Sequence, residues 1–292
     1  MTGALRKNVH AERTRTEPIA EGWLPMTAHT LFGKFTLRAA LALLACLLIG
    51  PGPLAHAQAE PDDASPAARH TVLITGANRG IGLELARQYS AAGWRVIGTA
   101  RKPDAARELR ELATMIVQLD VTDPVSVEEL ARELADMPID LLINNAGIQP
   151  LMWTLEDVDF DDFERALAVN TVGPVRVTRA LLPRLREGKL RRIVNITTNL
   201  SSIAGNTDGG FYGYRESKAA LNMFTRSLAA DLGPEGFICI VLHPGWVKTD
   251  LGGPQAPLQV EDSVRGMIGV IDGLGPDDNG TFWTHAGKRM PW

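Results

Sequence analysis

The chain has 292 residues, is 45% hydrophobic and 22% charged, and carries a formal net charge of −4. That balance is ordinary for a globular protein with a sizeable core and gives no electrostatic reason to expect a nucleic-acid partner. The two cysteines, Cys46 and Cys239, exclude a disulfide framework or a cysteine-based zinc site, and no metal is expected.

Residues 34–57 read KFTLRAALALLACLLIGPGPLAHA. Lys34 and Arg38 form a basic start, Ala39–Ile49 an uncharged apolar run, and Ala55-His56-Ala57 a small-x-small end, which is the layout of a secretory signal peptide cleaved after Ala57. The apolar run is shorter than the ~20 residues a membrane span needs. Met26 offers a second start upstream of it, and Cys46, after Leu43-Leu44-Ala45, is a candidate lipid-attachment site. The destination expected from a working leader is export or the periplasm, and from a leader without that role the cytoplasm. Membrane association is expected only if the leader is retained or lipidated. Residues 58–69 (QAEPDDASPAAR) are polar and rich in Pro and Ala, as in a tether. The expected division is therefore 1–57 leader, 58–69 tether and 70–292 folded domain.

From residue 70 short apolar runs alternate with helical patterns. TVLIT (71–75) leads into a glycine-rich turn, a helical pattern over 83–93 with Gly93 placed to cap it, and RVIGT (95–99), which together make a βαβ unit. RELREL, VEELARELADM and SKAALNMFTRSLAADLG read as further helices, the last ended by Gly233-Pro234. FDDFERALAVNTVGPVRVTRALLPRLREG reads as one long helix bent at Pro174. MIVQL (115–119), DLLIN (140–144), RRIVNIT (191–197), FICIVL (237–242) and TFWT (281–284) read as strands. Strands without period-2 polarity are buried on both faces. The expected fold class is α/β: a single doubly wound Rossmann-type domain, with a mostly parallel seven-stranded sheet between two helical layers.

The first strand ends in Thr75-Gly76-Ala77-Asn78-Arg79-Gly80-Ile81-Gly82. Glycines let this turn approach a ligand where a Cβ would clash. The helix beginning near Gly80 aims its free N–H groups at the same place, an arrangement suited to a pyrophosphate. The spacing is G-x-x-x-G-x-G rather than G-x-G-x-x-G. An acidic residue after the second strand would select NAD. Thr99-Ala100-Arg101-Lys102 stands there instead, and with Arg79 in the turn it favours a 2′-phosphate, hence NADP, with NAD still possible. Asp120-Val121, after the third strand, is placed either to close around an adenine or to cap the turn VTDPVS.

In YGYRESK (212–218), Tyr214 and Lys218 are four apart and share a helix face, whereas Tyr212 does not share it. A free phenol ionises near pH 10; a neighbouring ammonium favours phenolate and lowers that value. Such a pair makes a general acid–base for a carbonyl or alcohol oxygen.

TGANRGIG (75–82), NNAG (144–147), VN (169–170), YRESK (214–218) and HPGWVKTDLGG (243–253) occur in the order found in the short-chain dehydrogenase/reductase family, which the chain resembles over about residues 71–292. GNTDGGFYGYRESKAALNM and HPGWVKTDLGGPQAPL look most like its C-factor/Sniffer group, which is similar to carbonyl reductases. The resemblance implies Tyr214 as general acid in reduction and Lys218 as its activator and ribose ligand. It implies that Asn170 fixes a water in a proton relay, and that Asn144, Ala146 and Gly147 support the adenine pocket. It also implies that Pro244, Gly245 and Val247–Thr249 pass beside the nicotinamide amide. The family usually has a serine at the end of the fifth strand to orient the substrate carbonyl. Here that position is Thr198, with Ser202 as the other candidate.

Trp153, Phe211 and Trp246 are candidates for an apolar pocket, and Gly252–Glu261 for a lid over it. His243 reads as a satisfied loop residue. The expected substrate is a carbonyl or secondary alcohol on a moderately hydrophobic small molecule. The competing expectation is a C-factor-like nucleotide-binding signalling or interaction protein with little catalysis. A homo-oligomer built through helices 161–186 and 217–232 is implied by the resemblance alone.

Overall fold

A computed structural model describes residues 69–292; the expected leader and nearly all of the tether lie outside the described residues. Strands β1 (Thr71–Ile74), β2 (Arg95–Ala100), β3 (Met115–Gln118), β4 (Leu141–Asn144), β5 (Arg192–Ile196), β6 (Ile238–His243) and β7 (Phe282–Thr284) form one sheet. Its order is β3-β2-β1-β4-β5-β6-β7, and every pairing is parallel.

Period-2 alternation sends neighbouring strand residues to opposite faces. Val72, Ile74, Leu141, Ile143, Ile240 and Leu242 meet α1 (Gly80–Ala91), α2 (Arg107–Leu112) and α7 (Val260–Asp272). Leu73, Leu142, Ile193 and Cys239 meet α3 (Pro124–Glu133), α5 (Gly173–Glu187) and α6 (Tyr214–Leu232) on the other side. Both faces are apolar, so the strands carry no polar alternation. Cys239 is a free, buried thiol that burial pushes up to about 12, which keeps it unreactive.

One element matches the expectation and two differ from it. The helix after β1 begins at Gly80 and ends at Ala91; Gly93, at φ +81°, follows it and donates its N–H to the Ser90 carbonyl at 3.0 Å. The long helix is not simply bent at Pro174. It runs as α4 (Phe160–Leu167), a π-helical turn over Ala168–Val172 and then α5 without a break, and Pro174 stands two residues past the widened turn, so the ladder is distorted where proline's missing N–H and ring would disturb it. Finally, the segment considered as a lid gives way at Val260 to α7, which buries Ser263, Val264, Met267 and Ile271. Among the described residues no helix is long and apolar enough to cross a membrane.

Candidate active site

The strand order reverses between β1 and β4, and crevices at such switch points, beyond the carboxyl ends of the strands, are where doubly wound sheets bind ligands. The turns following β1, β4, β5 and β6 carry most of the residues singled out above.

The glycine turn is built by close backbone approach. Gly76 (φ +64°) and Gly80 (φ +54°) occupy left-handed backbone that favours glycine. A Cβ on Gly76 would lie 3.1 Å from the Ala146 Cα. A Cβ on Gly82 would fall on the Gly76 carbonyl oxygen and the Asn145 amide nitrogen. Thr75 faces inward, its hydroxyl accepting the N–H groups of Asn145 (2.9 Å) and Ala146 (3.0 Å). Asn78 and Arg79 are exposed at the tip, with Gly80 and Ile81 opening α1. Arg101 is exposed beyond β2. Asp120 accepts both the N–H and the hydroxyl of Thr122, at 2.9 and 2.6 Å; these bonds, with Arg101 adding a smaller pull, hold its carboxyl below the usual range. Asp120 therefore does serve the turn that leads to α3, while Val121 is buried against Gly173. The cradle is shaped for a phosphate-bearing ligand: bare glycine backbone, a helix N-terminus and two exposed guanidinium groups.

Tyr214 is the first residue of α6, set there by Gly213, whose φ of +75° turns the chain into the helix. Its phenol lies beside the Thr198 side chain. Lys218, one turn on, is almost fully buried and donates from Nζ to the Ile196 carbonyl at 2.8 Å. A Cβ on Gly147 would lie 3.4 Å from that Nζ, so Lys218 sits beside the β4 turn and, through Ala146, next to the glycine turn. The expected lowering of the phenol pKa is not seen. Burial pushes Tyr214 up to about 12, with only the Thr198 side chain pulling the other way. Burial likewise pushes Lys218 down to about 8. Desolvation disfavours both charged forms, and it outweighs any help from the ammonium.

Thr198 and Ser202 are in different situations. The Thr198 hydroxyl faces Tyr214 and accepts the Leu200 N–H at 3.2 Å. Ser202 Oγ accepts the Gly205 N–H at 3.1 Å and holds the following turn. Asn170 has a fully buried side chain that braces the site. Its side-chain oxygen accepts the Ile148 N–H (2.9 Å), and its nitrogen donates to the Ile148 carbonyl (2.8 Å) and Ser217 Oγ (3.0 Å). Both amide N–H groups and the amide oxygen take part in pinning the β4 turn to α6. Asn144, the buried last residue of β4, donates to Asn195 Oδ1 (2.8 Å) and Thr178 Oγ1 (3.2 Å), which ties its strand to β5 and α5.

After β6, Pro244 is buried and its carbonyl accepts from Ser263 Oγ at 2.6 Å. Gly245 has φ +88°, with His285 where its Cβ would go. Loop 246–258 closes on itself. Val247 bridges Leu258, Lys248 N–H donates to the Leu258 carbonyl (2.9 Å), and the Trp246 indole N–H donates to the Gly252 carbonyl (2.7 Å). Thr249 Oγ1 accepts the Gly252 N–H (3.1 Å), and the Thr249 methyl sits against Gly80. Arg79 of the glycine turn reaches across to Asp250 at 2.8 Å. The expected lid, 252–261, thus divides between the end of this self-braced loop and the start of α7, and the residues that rest on the glycine turn are Thr249 and Asp250 before it. Trp153 and Phe211 meet with ring centroids 4.3 Å apart and planes tilted by 56°, and Trp153 and Trp246 are both exposed. His243 is held near 4 by burial and by His285, and stays neutral. A surface cavity of about 520 Å³ lies elsewhere, against the outer side of α7, and neither Tyr214 nor Lys218 lines it.

Residues 70–258 match the short chain dehydrogenase family. The chain is a member of that family. C-signal of Myxococcus xanthus is 56% identical over 155 residues, 53% of this chain and 93% of that protein. The solved carbonyl reductase Sniffer of D. melanogaster superposes with a TM-score of 0.72 at 37% identity, covering 77% of this chain and all of that one. An NADPH-bound carbonyl reductase from chicken fatty liver superposes with a TM-score of 0.70 at 36% identity, covering 77% of this chain and 99% of that one.

In this short-chain dehydrogenase the residues missed by sequence reasoning are those that brace the site. Asn145 donates to the Thr75 and Gly76 carbonyls at 2.9 and 3.1 Å and so fixes the glycine turn. Asn195 passes the Asn144 contact on to Thr225 at 2.8 Å, tying β4 and β5 to α6. Asn222 accepts from the Thr197 hydroxyl (2.9 Å) and donates to Ser201 Oγ (2.9 Å), while Ser201 donates to the Thr198 carbonyl (2.5 Å). Arg215 donates to the carbonyls of Leu200, Gly209 and Gly210 and clamps the two loops that flank Tyr214. The one available signal was spacing: Asn222 and Thr225 stand four and seven residues beyond Lys218, on its helix face.

Proposed function

We propose that the protein is an NADP(H)-dependent carbonyl reductase, or the reverse secondary-alcohol dehydrogenase, acting on a moderately hydrophobic small molecule. The glycine turn and the N-terminus of α1 would take the pyrophosphate, Arg79 and Arg101 the 2′-phosphate, Lys218 the ribose, and the turn 244–249 the carboxamide. The bound nicotinamide would supply or accept the hydride. Thr198 donates a hydrogen bond to the substrate oxygen and Tyr214 delivers the proton to it. The observation that carries this reading is the buried Tyr214 phenol, protonated at neutral pH and set beside Thr198, with the buried Lys218 one turn away. A neutral phenol is the form a reduction requires.

NADPH oxidation with a panel of aldehydes, ketones and quinones tests it. Tyr214→Phe is expected to lower kcat by roughly 10²–10⁴-fold, the usual worth of a general acid, while NADPH affinity stays within about twofold. The likeness to C-signal favours a second reading, a nucleotide-binding signalling or interaction protein; cofactor binding without turnover, indifferent to Tyr214→Phe, would establish it. Homo-oligomerisation through α4–α5 and α6 is part of the proposal, supported by the exposed Phe160 and Met223 on those helices and checked by light scattering. So is export directed by residues 1–57, checked by N-terminal sequencing of the native protein: an intact Met1 or Met26 in the cytosol would reject it.

A further inference from the structure

We infer that Asp250 tunes cofactor selectivity by competing with a 2′-phosphate for the guanidinium of Arg79. The inference rests on the NADP reading above. Arg79 stands at the end of the glycine turn, and its side chain pairs with Asp250 at 2.8 Å, across 171 positions of sequence. Both side chains are open to water, at 66% and 75% exposure, so parting them leaves no charge buried. The loop does not need the pair to keep its shape: the Val247–Leu258 bridge and the bonds among Trp246, Thr249, Gly252 and Gly253 already close it. Asp250 is therefore a spare anion set beside one of the two cations that favour a phosphorylated ribose.

The other cation is less contested. Arg101 faces Asp120, but that carboxylate already accepts two hydrogen bonds from Thr122. When the 2′-phosphate arrives, Arg79 must leave Asp250 or share itself between two anions. NAD lacks that group, and the Arg79–Asp250 pair survives its binding. Asp250 consequently weakens NADP binding and leaves NAD binding unchanged, which narrows the preference that Arg79 and Arg101 create.

Calorimetric titration of the full chain with NADPH, NADH, 2′,5′-ADP and 5′-AMP tests this without turnover. Exposed ion pairs shift equilibria modestly. Asp250→Asn is thus expected to tighten NADPH and 2′,5′-ADP roughly two- to fivefold at low salt, with NADH and 5′-AMP within about 1.5-fold. The gain should shrink at high salt and vanish in an Arg79→Gln background. If wild type prefers NADPH but Asp250→Asn leaves all four ligands unchanged, or shifts phosphorylated and unphosphorylated ligands equally, the inference is overturned and the cofactor reading stands. Absence of any preference for the 2′-phosphate in wild type overturns both.

Discussion

The turn over residues 75–82 and the wall formed by 195–202 with α6 are held in different ways. The first is fixed by main-chain proximity: glycine against carbonyl, glycine against Ala146, with Asn145 tying the pieces. The second is fixed by side-chain hydrogen bonds that run Thr178–Asn144–Asn195–Thr225 and Thr197–Asn222–Ser201. A phosphate needs only a bare, electropositive hollow, whereas a proton donor must be aimed at one oxygen. Rigidity of shape serves the first purpose, and rigidity of orientation the second.

Three substitutions and a change of pH would separate these designs. The largest effect is expected from Gly82→Ala, because the added Cβ meets backbone that cannot retreat. Cofactor binding should be lost in titration, and the melting transition should report a destabilisation of about 1–3 kcal/mol, as for overpacking elsewhere. Next, Thr198→Val should cut turnover by roughly 10²-fold, the scale of losing one donor to a developing oxyanion. Ser202→Ala should spare turnover and cost about 1 kcal/mol of stability through its bond to Gly205. The reverse ordering would assign the carbonyl-orienting role to Ser202.

The smallest effect concerns pH. Lys218, depressed to about 8, is an ammonium below that pH and neutral above it. Affinity for the anionic dinucleotide should be full below pH 8 and fall above it, by at most about tenfold per pH unit. Folding stability should respond with the opposite sign. Between 8 and the ordinary lysine value of 10.5 the unfolded chain binds more protons, so the penalty for burying this lysine is relieved as pH rises. A titration of NADPH affinity from pH 7 to 10, alongside thermal melts, checks both slopes.

The same contrast explains what could be read beforehand. The glycine turn and the Tyr214–Lys218 spacing were legible because each is a local pattern with one physical use. The strands were legible because burial on both faces leaves continuous apolar runs. The bracing asparagines were not, since Asn144 and Asn195 become partners only when β4 and β5 lie in register. The phenol's raised pKa was missed for a related reason: charge proximity can be guessed from i,i+4 spacing, but desolvation depends on everything packed around the site. Helix α7 was hidden by Gly266, Gly269 and β-branched residues that weaken its local propensity; its buried Val264, Met267 and Ile271 supply the stability. Asp250 gave no signal, because its partner is 171 positions away.

The wider turn at Ala168–Val172 has a consequence for how this chain tolerates length changes. A π turn holds one residue more than the α-helical turn it replaces. Deleting a single residue there would let the hydrogen-bond ladder heal into uninterrupted α-helix, a change that looks harmless by propensity. The flanking helices would keep their facing, because the turn that disappears held the surplus residue. The side chains inside that turn would be redistributed, however, and Asn170 would swing off Ile148 and Ser217 and unmoor the floor beneath Lys218.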